Sequence, residues 1–290
     1  MAIMRDIRRR IRTVRNIQQI TKALKMVAAA RLQRAESRLR AARPYADEML
    51  ALMSRLQSAA ANGDVRHPLL EVREPVNIGI LAITSDRGMA GGYNTNVTRR
   101  ALDIIQPYDR DRVKLVTVGR KARAFFAKRM YNIAANFTMP SSEVNFAEAR
   151  QISRTIQDLF EGREVDAIRI VYTRFLSAVR HRVVDVQLLP VAPPEAQEVH
   201  RGGPAEEYIF EPLPEALLCS LLPRYVDIQV YRVMLESLAS EHSARMAAMA
   251  LATDNAGEMT ERLTLDFNRA RQSAITKELA EIVGGAEALR

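Results

Sequence analysis

Cysteine is almost absent from this chain of 290 residues, which contains only Cys219. A single thiol can form neither an intramolecular disulfide framework nor a cysteine metal cluster, so a reducing compartment suits the sequence. Long apolar runs are absent as well, because no stretch of about 18 apolar residues is available to cross a membrane. The four histidines are scattered, without a carboxylate at metal-ligand spacing. The sequence therefore offers no metal site and no catalytic constellation built on histidine or cysteine.

Glycines cluster only once in the first half of the chain, in the segment "ITSDRGMAGGYN" that follows the apolar run 76–84. A phosphate-binding loop needs Lys-Ser/Thr after its glycines, and this segment has neither. The dinucleotide fingerprint Gly-x-Gly-x-x-Gly also fails, because Gly88, Gly91 and Gly92 have a different spacing. We therefore predict a tight turn from strand to helix, with some residues at positive φ. A nucleotide-binding enzyme that uses this turn remains the alternative.

Acidic residues are rare near the start of the chain. Residues 1–40 hold twelve Lys and Arg but only two acids, a net charge of +10, whereas the whole chain carries +9. The basicity is therefore confined to one segment and indicates an acidic partner: nucleic acid, an anionic membrane surface or an acidic protein. No aromatic residue that could stack on a base occurs before Tyr45. A basic coiled coil that binds nucleic acid is thus a second alternative.

Two long helices are predicted at the ends of the chain, over 1–62 and 213–285, because apolar residues recur there at three- and four-residue steps. Pro44, Pro223 and Gly257 are the interior positions where we expect a kink or a loosening. A domain of about 140 residues is only some 40 Å across, too small to bury such helices along their length. Pairing them in an antiparallel coiled coil is the simplest solution. Many apolar and small residues stay outside the seam, which favours a sheath of other proteins around the pair.

The middle of the chain, residues 75–210, alternates strand-like and helix-like runs. The predicted strands are 76–84, 113–118, 131–135, 165–173 and 183–190, and the predicted helices are 95–106, 120–129 and 145–161. This alternation predicts an open, mainly parallel sheet with helices on its faces. The predicted fold class is therefore α/β: a Rossmann-like open-sheet domain between long N- and C-terminal helices in an antiparallel coiled coil.

Three blocks of sequence resemble the gamma subunit of the F-type ATP synthase, in the right order and over nearly the whole chain. They are "IRTVRNIQQITKALKMVAAARL", "TSDRGMAGGYN" and "SEHSARMAAMALATDNAGEM…NRARQSAITKELAEIVGGA". The resemblance implies a shaft that turns inside a hexamer of three alpha and three beta subunits. It also implies a foot domain against the epsilon subunit and the ring of c subunits. One copy per complex, no cofactor, no nucleic acid, no membrane insertion and no catalytic residue are implied.

The resemblance also implies roles for particular residues. Arg271 and Gln272 match positions that hydrogen-bond a loop of one beta subunit, and Thr276 lies one turn further on. Glu241 and Arg245 match positions tied to energy coupling. The resemblance further places Lys22 and Leu24 opposite an acidic lever segment of beta, and Tyr208, Phe210 and Glu211 at the c ring.

The chain departs from the family at a few positions. Ala90 stands where many relatives have cysteine, and Pro223 falls where an uninterrupted helix is expected. The insertion with paired cysteines found in chloroplast relatives is absent. The N-terminal segment has no serine before Ser37 and is therefore not typical of a transit peptide. We expect a bacterial protein on the cytoplasmic face of the inner membrane.

Overall fold

The computed structural model describes residues 2–59, 67–191 and 213–287. Two compact units can be distinguished. Unit 1 consists of residues 1–29 and 245–290, and unit 2 consists of residues 30–244. Helix α1, Ala2–Ala59, and helix α5, Pro214–Glu287, each contribute to both units.

Both long helices continue through the residues where a kink or a loosening was expected. Pro44 lies inside α1, and Pro223 lies inside α5. Gly257 is also within the helical run of α5. Near Pro223, a side chain from a neighbouring helix supports the backbone, because Nε2 of Gln157 donates to the Pro223 carbonyl at 3.4 Å.

Unit 2 is built on one five-stranded sheet. Its strands are β1 (Ile78–Ile83), β2 (Val113–Val118), β3 (Asn132–Phe137), β4 (Ala167–Phe175) and β5 (His181–Leu189). Their order is β3-β2-β1-β4-β5, with β5 antiparallel to β4 and all other pairs parallel. The prediction of an open, mainly parallel sheet is confirmed.

Three shorter helices connect the strands: α2 (Tyr93–Ile105), α3 (Arg120–Ala127) and α4 (Phe146–Glu161). One core forms where α2 and α3 cover the sheet with Val97, Ile105 and Phe126. Strand β1 is buried at every position, as expected for a central parallel strand that carries a continuous apolar run. Helix α4 begins at a capping box, in which Asn145 and Glu148 satisfy each other's backbone N–H groups.

The glycine-rich segment forms the turn that leads from β1 into α2, as predicted. Met89 and Gly91 have positive φ values of 61° and 54°. Gly92 is the N-cap of α2 and has an ordinary negative φ. The turn lies at the carboxyl end of β1, the strand that pairs with β2 on one side and with β4 on the other.

Candidate partner-binding surface

In unit 1, the two long helices pair in an antiparallel arrangement. Thr253 Oγ1 donates to Thr21 Oγ1 at 2.8 Å, and the guanidinium of Arg8 lies 5.4 Å from the ring centre of Phe267. Moving 13 residues back along α1 therefore moves 14 residues forward along α5. This constant register is typical of an antiparallel helical pair and confirms that part of the predicted fold.

Small residues bring the two helices close together. Ala28 and Ala256 are buried, and so is the hydroxyl-bearing Thr21. Gly257 also allows a close approach, because a Cβ at this position would lie only 3.1 Å from Nε2 of Gln18. Small side chains thus line part of the seam, while several larger apolar residues stay exposed on other faces of the helices.

Many of those larger apolar residues face outward. Ten of them in unit 1 are between 47% and 68% exposed: Ile17, Ile20, Met26, Val27, Leu251, Met259, Leu265, Ile275, Leu279 and Ile282. Single exposed apolar side chains are ordinary on protein surfaces, but extended sets of them mark interaction sites. The helical pair therefore presents a surface suited to contact with other proteins.

The carboxyl-terminal part of α5 carries a row of exposed apolar residues. Ile275, Leu279 and Ile282 follow one another at steps of four and three residues, so they share one face of the helix. Every residue from 275 to 282 is exposed. Extending the register of the pair places the start of α1 level with about residue 273, so this stripe extends past α1. An apolar stripe on a helix end of this kind needs a partner to cover it.

The basic character of α1 is also directed outward. The eight basic residues in its first half are all exposed: Arg5, Arg8, Arg9, Arg10, Arg12, Arg15, Lys22 and Lys25. Asp6 is the only acid in residues 1–29. Its carboxylate pairs with Arg9 at 2.7 Å and with Arg10 at 3.0 Å. Most of the positive charge therefore remains available to an acidic partner.

The residues implicated by the resemblance fall into separate groups. Arg271, Gln272 and Thr276 are exposed on α5, near the apolar stripe. Lys22 is exposed and Leu24 is half-buried on α1. In the register of the pair, Lys22 lies level with about residue 252, roughly 30 Å along the helix from Arg271. The helical pair thus carries two candidate contact regions at different heights.

Glu241 and Arg245 lie one helical turn apart in sequence but in different units. Glu241 is buried in unit 2. Arg245 is half-buried and is the first α5 residue of unit 1. Both side chains interact within the chain. Their roles in energy coupling stay a prediction.

Tyr208, Phe210 and Glu211, the residues predicted to contact the c ring, lie outside the described residues. Their contact with the c ring therefore stays a prediction.

The described residues show little that resembles a reaction centre. Among them, no three His, Cys, Asp or Glu side chains come together in a way that could hold a metal ion. His67 caps a short 3-10 helix, since its Nδ1 accepts the N–H of Leu69 at 3.1 Å, and burial lowers its pKa. No helix in the described ranges has both the length and the apolar character needed to cross a membrane.

Sequence reasoning missed two features of the molecule. It did not single out the stripe Ile275, Leu279 and Ile282, although the four- and three-residue spacing was a usable signal. It also did not connect the glycine-rich turn with α5. Tyr93, at the start of α2, donates its hydroxyl to the Ser237 carbonyl at 3.2 Å, a contact between residues 144 positions apart. No local pattern reveals such a contact.

Comparison with known proteins shows the class of protein to which this chain belongs. Residues 3–289 match the protein-family model described as ATP synthase. A structure of the same fold is the central stalk and c ring of the Tetrahymena thermophila mitochondrial ATP synthase. It has a TM-score of 0.61 and 25% identity, and the match covers 80% of this chain and 99% of that one. The class is therefore that of an ATP synthase subunit with a central-stalk fold.

Curated relatives identify the subunit. The ATP synthase gamma chain of Heliobacterium modesticaldum is 49% identical over 290 residues, with 99% of each chain covered. That of Desulforamulus reducens is 47% identical over 289 residues, with both chains fully covered. The chain belongs to the ATP synthase gamma chain family. The rotor of the Euglena gracilis mitochondrial ATP synthase has the same fold, with a TM-score of 0.67 at 19% identity.

Proposed function

We propose that this chain is the rotor subunit of an ATP synthase, which transmits torque between the ring of c subunits and the catalytic hexamer. It is a non-catalytic subunit of that complex. Bond chemistry belongs to the beta subunits, and this chain changes their conformation in sequence as it turns.

One observation carries the proposal: unit 1 exposes apolar residues and positive charge along two helices that are already paired with each other. A sheath of other subunits would cover the ten outward apolar side chains, with a gain of roughly 25 cal/mol for each Å² removed from water. Acidic segments of that sheath would face the basic residues of α1. A shaft enclosed by three alpha and three beta subunits meets both requirements.

The helical pair is also suited to mechanical work. An isolated helix bends and frays readily, whereas two helices packed through a close seam resist bending and twisting together. Because the surface of α1 is basic and α5 has a different distribution of charge, the pair looks different from each side. Rotation of such an asymmetric shaft would present a different face to each beta subunit in turn.

The remaining partners are the epsilon subunit and the c ring. We place the epsilon subunit and the c ring against unit 2, with Tyr208, Phe210 and Glu211 near the ring. This position would make the chain a peripheral protein on the cytoplasmic face of the cell membrane, present once per complex. Neither the nucleotide-enzyme nor the nucleic-acid alternative is favoured by the family relationship.

The proposed contact of Arg271 and Gln272 with a beta loop can be tested in the assembled complex. Changing both residues to alanine removes exposed donors that have no hydrogen bond within the described part of the chain. We expect slower ATP turnover, because directional hydrogen bonds to the loop are lost, and unchanged helix content of the free chain.

The matched control is Arg99→Ala with Gln106→Ala, which removes the same two residue types from exposed positions on α2 and at its C-cap. Turnover of the control complex should equal that of the unmodified complex. Equal turnover in all three complexes would contradict the proposed contact.

A further inference from the structure

The carboxyl ends of β1 and β4 form the topological switch point of the central sheet. From β1 the chain continues to β2 on one side, and β4 later enters on the other side. Sheets of this doubly wound kind leave a crevice at such a point, and ligands bind in it. The glycine-rich turn borders the crevice, which is why it resembles a nucleotide site in sequence.

In this chain, α5 occupies that position. Ser240 Oγ donates to the Thr173 carbonyl at the carboxyl end of β4, at 2.9 Å. From the side of β1, the Tyr93 hydroxyl donates to the Ser237 carbonyl at 3.2 Å. Ala90, Tyr93 and Ala244 form a small buried apolar cluster between the turn and the helix. The two strand ends thus hold the same two turns of α5.

The sequence of α5 permits this close approach. Ser237, Ser240 and Ala244 are spaced by three and four residues and therefore share one face of the helix. All three are small and buried. On the opposing side, the positive φ of Gly91 lets the turn fold back, so that Ala90 is buried within the cluster.

We propose that these six residues, Ala90, Tyr93, Thr173, Ser237, Ser240 and Ala244, form an "α5 seat" that transmits torque from the central sheet to α5. The helix takes the place that a doubly wound sheet otherwise gives to a ligand. This inference rests on the proposed rotor function. It gives the glycine-rich turn a mechanical role in place of phosphate binding.

A third hydrogen bond also holds α5 against the central sheet. Ser243 Oγ donates to the Ala178 carbonyl at 2.8 Å, in the turn between β4 and β5. Together with Ser240, it fixes α5 at two points along one edge of the sheet. Twisting α5 against the central sheet would break these hydrogen bonds, so the seat resists torsion as well as separation.

The test measures torsional stiffness in the assembled complex. The hexamer is immobilised, and a bead is attached to unit 2 through Lys128→Cys in a chain that also carries Cys219→Ser. The angular variance of the bead is recorded during pauses for ATP. Tyr93→Phe with Ser240→Ala removes two hydroxyl groups of the seat without adding volume. Ala90→Leu, the second variant, inserts three carbon atoms into the buried cluster.

We expect the angular variance to rise roughly two-fold or more in the seat variants, since each lost hydrogen bond makes the unseated helix several times more populated. Protons pumped per ATP hydrolysed should fall in parallel. The control, Tyr108→Phe with Thr155→Ala, removes the same number of hydroxyl groups from unit 2 outside the seat, and it should behave as the unmodified complex. If Ala90→Leu prevents folding, the hydroxyl deletions alone decide the question.

The seat and the rotor function fail in different ways. The proposed seat would be overturned if a rotating complex with the hydroxyl deletions showed the same angular variance, and pumped the same number of protons per ATP, as the unmodified complex. A bead that does not rotate on the unmodified chain, while the hexamer hydrolyses ATP, would overturn the proposed function instead.

Discussion

A backbone carbonyl lies almost against Gly119, the residue that joins β2 to α3. Its φ is 93°, and a Cβ added here would lie 2.3 Å from the Thr84 oxygen. Two features therefore require glycine at position 119: the positive φ and the Thr84 carbonyl that a side chain would meet. Thr84 cannot give way easily, because its hydroxyl donates to Val118 and accepts from the Ala122 N–H.

We predict that Gly119→Ala lowers the free energy of unfolding by at least about 2–4 kcal/mol, measured by denaturant titration of the full chain. Gly88→Ala is the matched control, because its added Cβ would meet only the flexible end of Lys121, at 3.9 Å. The control should stay within about 1 kcal/mol of the unmodified chain. Equal losses at the two glycines would contradict this account.

Asp185 on β5 is held by two arginines. Arg100 donates to its Oδ1 from Nε at 2.8 Å and from Nη2 at 2.6 Å, and Arg169 pairs with its Oδ2. Burial by itself raises the pKa of Asp185, but the hydrogen bonds and charges of Arg100 and Arg169 outweigh burial and hold the pKa below its ordinary value. The ionised carboxylate thus stabilises the folded state.

For Asp185, the sign of the pH dependence follows from the lowered pKa. Its contribution is complete above the ordinary aspartate pKa and is lost as pH falls through the lower folded-state pKa. Asp185→Asn should cost about 1–3 kcal/mol near neutral pH and should flatten the loss of stability in acid. Asp103→Asn, which changes an exposed aspartate on α2, should do neither. Parallel pH profiles for Asp185→Asn and the unmodified chain would refute the assignment.

At the scale of elements, the register of the helical pair depends on its small residues. Gly257→Leu places a large side chain where a single Cβ would already lie 3.1 Å from Gln18. We predict that the helices separate locally, at a cost of about 1–3 kcal/mol. Hydrogen exchange of backbone amides around Gln18 should then become faster. The control is Asn255→Leu, at an exposed position two residues away.

The sequence predicted the strands and helices of unit 2 well, because apolar runs and helical spacing are local signals. The glycine-rich turn was also predicted correctly. The sequence did not reveal why Gly119 matters, because the reason lies at Thr84, 35 positions earlier. The α5 seat was missed for the same cause, since Tyr93 and Ser237 meet only in the fold. A kink or a loosening was expected at Pro44 and Pro223, and each long helix continues through its proline.

The candidate site was predictable in part. Family resemblance indicated Arg271, Gln272 and Thr276, and the structure places all three at exposed positions. Glu241 is buried, which no local pattern indicated. The outward position of many apolar residues was anticipated, because the long helices carry more apolar and small residues than one seam can bury.

At the scale of the whole molecule, charge is distributed according to function. The chain carries a net charge of +9, but residues 1–40 alone carry +10. Electrostatic attraction would thus guide the first part of α1 towards acidic partners, whereas residues 41–290 carry a net charge of −1. The same distribution makes assembly sensitive to salt, because exposed charges are screened over about 8 Å at physiological ionic strength.

Direct observation of rotation tests the central claim most directly. A bead on unit 2 of this chain, with the alpha and beta subunits fixed to a surface, should turn in one direction when ATP is added. It should pause once for each beta site in every revolution. A bead that stays at one angle while the same complex hydrolyses ATP would contradict the claim that this chain is the rotor.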